Sequence, residues 1–347
     1  MAARLRWPNG GTLTGATIKA NGGSDHALGG TLVDGIGKEV LPDGTTVIVD
    51  PTLYQSDPST PTFNAISADT VENAGFDTFV AQGAITSSGD VDLNLGRAFF
   101  LVSRPYDGQA DLKDTQTLDG YAPVISSGGV MEIDAPYISF DSTLQNVSTP
   151  FVGTPGSNSV ILRANEIDIS GAVLFDQSVS NVEMFASGDV RLSGVEPWQQ
   201  TYNVDPESVT NSLAGQLAVN GDLSITAGQV FPTTGSMFYV TSAAEDGAIT
   251  FARTEGTDPS TPYSAGGNLL VQAANILQGG DIRVPIGALT LGASDPFSIT
   301  TDGNSVEFAP GTTSLEVLPG SITSVSADGI RNDNRPDRMV FRSDRRR

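Results

Sequence analysis

The chain has 347 residues, no cysteine, and 18 basic against 40 acidic side chains, a net charge of −22. That excludes a disulfide framework and thiolate metal sites, and an acidic body of this size repels nucleic acid and anionic lipid. The charge is uneven: residues 331–347 carry seven arginines against three aspartates, a net +4, which leaves −26 on residues 1–330.

The opening segment, MAARLRWPNG, has neither the apolar core nor the cleavage site of a signal peptide. The protein is then either cytoplasmic or a piece of a longer exported chain, and the abrupt start in strand-like sequence favours the second. No apolar run reaches the length of a membrane-spanning helix, so no membrane insertion is expected. From there on, short runs of alternating apolar residues are broken by Gly, Asn, Ser or Asp, which predicts strands with tight corners. Core strands are expected at 12–18, 45–49, 91–95, 99–102, 248–251, 288–291 and 305–308. The pattern is densest over 158–195. There Val160, Leu162, Ile167 and Ile169 alternate with polar neighbours, as do Val182, Met184, Val190 and Leu192.

Aligning these runs on their small residue exposes a recurrent hexad: apolar, any, Ala, any, any, apolar. It is centred on Ala68, Ala135, Ala164, Ala227, Ala273 and Ala327, and on Ala186 with one residue inserted. The physical reading is strand, corner, strand, with alanine where only a methyl group fits inside the bend. One such unit cannot bury its apolar face alone, so the units must stack into a β-solenoid over residues 1–330. Four Pro- and Asp-rich stretches break the pattern and read as loop excursions: 51–64, 103–123, 196–211 and 253–266. The basic tail, 331–347, is expected to leave the solenoid and be disordered.

At the hexads, and in phrases such as ANEIDISG, ASGDVRLSG, NGDLSITAG and AANILQGGDI, the chain resembles the filamentous haemagglutinin-like family of two-partner-secreted bacterial exoproteins. The resemblance implies an all-β, right-handed parallel β-helix forming the shaft of a surface fibre. It implies secretion through an outer-membrane two-partner transporter, a place on the bacterial cell surface, and a role in adhesion or biofilm. The partner would be a host or bacterial cell-surface glycan or protein. The Asn-Pro-Asn-Gly motif of the family's secretion domain is not matched; only Pro8-Asn9-Gly10 is present.

Residues that carry chemistry are sparse. Outward carboxylates come in pairs, Asp90/Asp92, Glu132/Asp134 and Glu166/Asp168. Glu132, Asp134, Glu166 and Asp168 are the catalytic candidates of an alternative reading, a β-helix glycoside hydrolase or polysaccharide lyase. Alternation alone puts every polar residue outward, so a solvated face is the better account of them. The single histidine, His26, supports neither a triad nor a metal site. Asn220-Gly221-Asp222 and Gly279-Gly280-Asp281 read as turns, not calcium sites. No cofactor or metal is expected. The aromatics of the excursions are the ligand-binding candidates: Trp198, Tyr202, Tyr106 and Tyr121, with Tyr54 and Tyr263 in the same class of loop. The expected role is therefore structural and adhesive, not enzymatic.

Overall fold

The computed structural model describes residues 4–7, 11–14, 37–40, 46–49, 65–68, 71, 75–82, 84–87, 89–102, 123–145, 156–196, 213–301 and 304–327. It is all-β, and most strands gather into three long parallel sheets. Sheet I stacks Arg4–Trp7, Thr78–Gln82, Ala98–Val102, Tyr137–Asp141, Glu166–Ser170, Asp189–Ser193, Gln229–Pro232, Asp281–Arg283 and Ile322–Ser324. Sheet II stacks Ala65–Ser67, Gly11–Thr14, Ala84–Ser87, Val124–Ser126, Ala172–Phe175, Leu213–Val219, Ser236–Ser242, Asn268–Gln272 and Ala288–Leu291. Sheet III stacks Val91–Asn94, Val130–Asp134, Asn158–Ala164, Val179–Ala186, Asp222–Ala227, Ala248–Arg253, Asn275–Gly279 and Ser314–Val317. From Thr78 onward the chain visits I, II and III in rotation. No sheet II strand is described between Asp141 and Asn158, and the circuit between Arg253 and Asn268 lacks a sheet I strand.

Alternation produces this arrangement. In sheet III, Leu93, Ile133, Leu162, Met184, Ile225 and Phe251 occupy successive rungs of one inward row, all buried. In sheet I, Phe79 and Phe99 lie in register with rings stacked 5.9 Å apart. Edge contacts continue that aromatic seam to Phe140 and Phe175, each 6.3 Å from the last. Burying each such ring contributes roughly 1.5–3 kcal/mol, and the gain is shared because every rung covers its neighbours.

The alanine corners are real, with one refinement. Ala135, Ala164, Ala186 and Ala227 all sit where sheet III passes to sheet I, one above another. Backbone bonds tie the rungs there, from Ala135 N to Arg163 O at 3.0 Å and from Ser187 N to Ala164 O at 3.0 Å. Ala273 is equally buried but turns sheet II into sheet III, and Ala327 follows a sheet I strand. A methyl-sized gap marks a bend without saying which bend. On the next rung of the alanine column stands Arg253, and there the chain leaves the column for the excursion.

Two expected core strands lie elsewhere. Thr46–Val49 pairs antiparallel with Gly37–Val40, and Asn304–Ala309 pairs antiparallel with Phe297–Thr301. Each pair is connected through an Asp-Gly dipeptide, Asp43-Gly44 and Asp302-Gly303, the sequence signature of a hairpin. The second hairpin packs on the outward face of sheet II: Phe297 meets Tyr239 at 5.0 Å, and Phe308 is buried with Ala172. The buried Gln272 amide anchors its base, donating to the carbonyls of Ala293, Asp295 and Pro310.

The 253–266 excursion, expected to project, instead lies down on the outward face of sheet I. Gln229 Nε2 donates to Ser260 O at 3.1 Å and Ser264 Oγ to Pro232 O at 2.6 Å. Beneath it Gln229–Pro232 is buried on both faces. Sheet I closes under the missing strand by pairing Val230 directly with Ile282.

The ends differ. At the N-terminal end Ala65–Ser67 is the outermost sheet II strand, and Ala68 and Val71 just after it join the core, 2% and 0% exposed. At the C-terminal end the outermost sheet III strand has Leu315 and Val317 exposed, although they continue inward rows. Among the described residues no helix is long and apolar enough to cross a membrane.

Candidate functional site

Parallel register aligns the outward residues of sheet I into two rows along the stack. One row holds Tyr137, Glu166, Asp189, Gln229 and Asp281; the other holds Phe100, Ser139, Asp168, Arg191, Phe231 and Arg283. Of the carboxylates expected from sequence, Glu166 and Asp168 stand here.

Asp168 is the hub. Arg191 on the next rung grips it with two bonds, Nε to Oδ1 at 2.5 Å and Nη2 to Oδ2 at 2.6 Å. From the previous rung the Tyr137 hydroxyl donates to Oδ2 at 2.6 Å. Glu166 Oε2 lies 3.2 Å from Arg191 Nη2. Both of its carboxylate oxygens are thus engaged by side chains of the two neighbouring rungs, so Asp168 ties rungs together. Its bond raises the Arg191 pKa, and burial, followed by Asp168, raises that of Tyr137.

Asp189 behaves differently. Burial first, then the charges of Glu166 and Asp168, raise its pKa, against lowering by a bond from Gln229 and by the charge of Arg191. Asp189 thus stands one rung from the half-exposed Glu166. Further along, under the excursion, Asp281 is buried with Arg253 Nε at 2.7 Å and Arg283 Nη2 at 3.6 Å. Asp281 Oδ2, Gln229 Oε1 and Arg283 Nε have no hydrogen-bond partner there.

The other two candidates, Glu132 and Asp134, lie on sheet III, so the four acids divide between two faces and do not converge. Glu132 accepts from Arg163 Nε at 2.6 Å, and that guanidinium lies 4.5 Å from the Phe185 ring centroid on the following rung. Turn acids serve the backbone: Asp90 Oδ1 accepts from Val130 N and Asp222 Oδ1 from Ala248 N. Among the described residues no three His, Cys, Asp or Glu side chains group as a metal site would require.

Sequence reasoning missed Tyr137, Asp189 and Arg191. The signal was present: superposing ASGDVRLSG on ANEIDISG at their alanines, with one residue inserted, sets Asp189 and Arg191 beside Glu166 and Asp168. The aromatic candidates Tyr54, Tyr106, Tyr121, Trp198 and Tyr202, His26 and the basic tail lie outside the described residues. Tyr263 is described, on the excursion over sheet I, and is fully exposed. No protein-family model, curated protein or solved structure matches the chain.

Proposed function

We propose that the chain is a structural and adhesive part of a large secreted bacterial surface exoprotein of the filamentous haemagglutinin-like kind. Its strands wind as a right-handed parallel β-helix that holds segments out for contact with a cell-surface glycan or protein. An outer-membrane two-partner transporter would export it. The observation that carries this reading is where the charges go. The ion pairs Glu132–Arg163, Asp168–Arg191 and Arg253–Asp281 each join one circuit to another, so the charged groups contribute to cohesion along the stack. A scaffold of local, repeated contacts also suits a chain that folds circuit by circuit after export.

The test is binding of the purified chain to a glycan array and to intact cells. A variant with residues 197–212 replaced by a Gly-Ser stretch of equal length is the control. Binding lost in the variant, with unchanged circular dichroism, is the expected result.

One observation favours a second reading, a glycan-cleaving enzyme: Glu166 and Asp189 stand on adjacent rungs of one outward row, and such chemistry uses a pair of carboxyl groups. Reducing sugar released from polysaccharide by the intact chain, and abolished in both Glu166→Gln and Asp189→Asn, would replace the adhesive proposal.

A further inference from the structure

Among the described residues, the C-terminal end of the stack is built like an interior and left uncovered. Leu315 and Val317 lie over Ile276 and Gln278 on the inward rows of sheet III, yet are 48% and 55% exposed. Val325 and Ile286, joined by a bond from Ile286 N to Val325 O at 3.2 Å, are also exposed. Four of the six exposed large hydrophobic residues described are therefore at this one end. The outermost strands here, Ala288–Leu291, Ser314–Val317 and Ile322–Ser324, each have a sheet neighbour on one side only. An apolar row bordered by unpaired strand edges is a template for another segment of chain.

The structure points to one occupant, and we propose that the chain following Ala327, residues 328–347, docks across this end and caps it. Three observations select it. The chain leaves the described stack two residues after the exposed Val325, so the segment starts at the face it would cover. At up to about 3.3 Å per residue its 20 residues reach far beyond the width of the short terminal strands.

Its composition also fits. Ile330 and Met339-Val340-Phe341 supply apolar groups, and its seven arginines give residues 331–347 a net +4 beside a body of −26 and the exposed Glu316 on the edge strand. Finally, the opposite end is closed in this manner by its own chain, Ala65–Ser67 on the edge with Ala68 and Val71 in the core. The inference goes beyond the adhesive reading and holds whether or not that reading does.

The absence of cysteine allows a direct test in the full chain. Val317→Cys is combined in turn with Met339→Cys and with Phe341→Cys and mildly oxidised. An intramolecular disulfide in at least one pair, with the protein monomeric, is the expected result. Free thiols in both pairs, or a covalent dimer showing that a second copy takes the face, overturns the proposal. In parallel, Phe341→Asp is expected to raise the fluorescence of an apolar-surface dye several-fold with unchanged circular dichroism. Dye binding equal to that of the unsubstituted chain counts against the cap. Val317 is 55% exposed, so its replacement leaves the packed core intact, and the circular dichroism reports on folding of each variant.

Discussion

At its N-terminal end the stack is sealed by residues that turn under the first circuits, and Val91 and Leu93 on the outermost sheet III strand are 3% and 0% exposed. At the other end the equivalent inward positions, Leu315 and Val317, are about half exposed, and the row beneath them has already changed character. Gln278 stands where earlier rungs place Phe251, Ile225 and Met184, fully buried, its amide bonded to Gly280 O, Ile322 O and Thr323 Oγ1. One end finishes in apolar cover, the other in a polar crosslink between sheets. A repeated fold thus needs distinct chemistry at its termini, because only there does a rung lack a neighbour.

The sharpest test of this contrast is a charge placed at each end. Val71→Asp is expected to cost about 3–5 kcal/mol in urea denaturation, as an unpaired buried charge does. Leu315→Asp, which loses only the contact of the docked 328–347 segment, is expected to cost less, about 1–2 kcal/mol. Equal losses would remove the distinction. Next, Phe99→Ala, which empties the aromatic seam near the sealed end, should cost about 3–5 kcal/mol. Gln278→Leu, which deprives buried acceptors of their donor, should cost about 1–3 kcal/mol and loosen the C-terminal circuits first in hydrogen exchange. Midway between the ends, Asp168→Asn breaks a partly exposed pair and should cost at most about 1 kcal/mol.

The smallest effect is in pH dependence. Because the folded state raises the Asp189 pKa, folded chains keep a proton that unfolded chains have released between the ordinary and the raised value. Stability from this group is therefore present below the ordinary carboxylate range and is lost as pH rises through the raised value. Asp189→Asn should flatten that slope and slightly stabilise the chain at neutral pH, the opposite of Asp168→Asn. Denaturation midpoints across mildly acidic pH check both signs.

Much of this was legible in the residues. Alternation located most strands, and the alanine bends implied stacking, because both are local consequences of side-chain size and polarity. Residues 45–49 and 305–308 read as core strands although they are hairpin arms, because an apolar run looks alike in either setting; Asp-Gly is the discriminating cue. The tie of Tyr137, Asp168 and Arg191 spans 54 residues and depends on rung order, which the inserted residue before Asp189 obscured. Glu132 and Glu166 face different directions because they stand on opposite sides of the corner between sheets III and I, where Ala135 and Ala164 stack.

The masonry of sheet I has a consequence for avidity. The stretches that follow Ala98–Val102, Tyr137–Asp141 and Asp189–Ser193 start from rungs that are first adjacent and then two apart, so their roots are about 5 Å and about 10 Å from one another along the axis. Under the adhesive proposal, binding segments that start from these rungs would engage a polymeric ligand of short repeat together, and sharing one scaffold multiplies modest affinities without requiring a deep pocket.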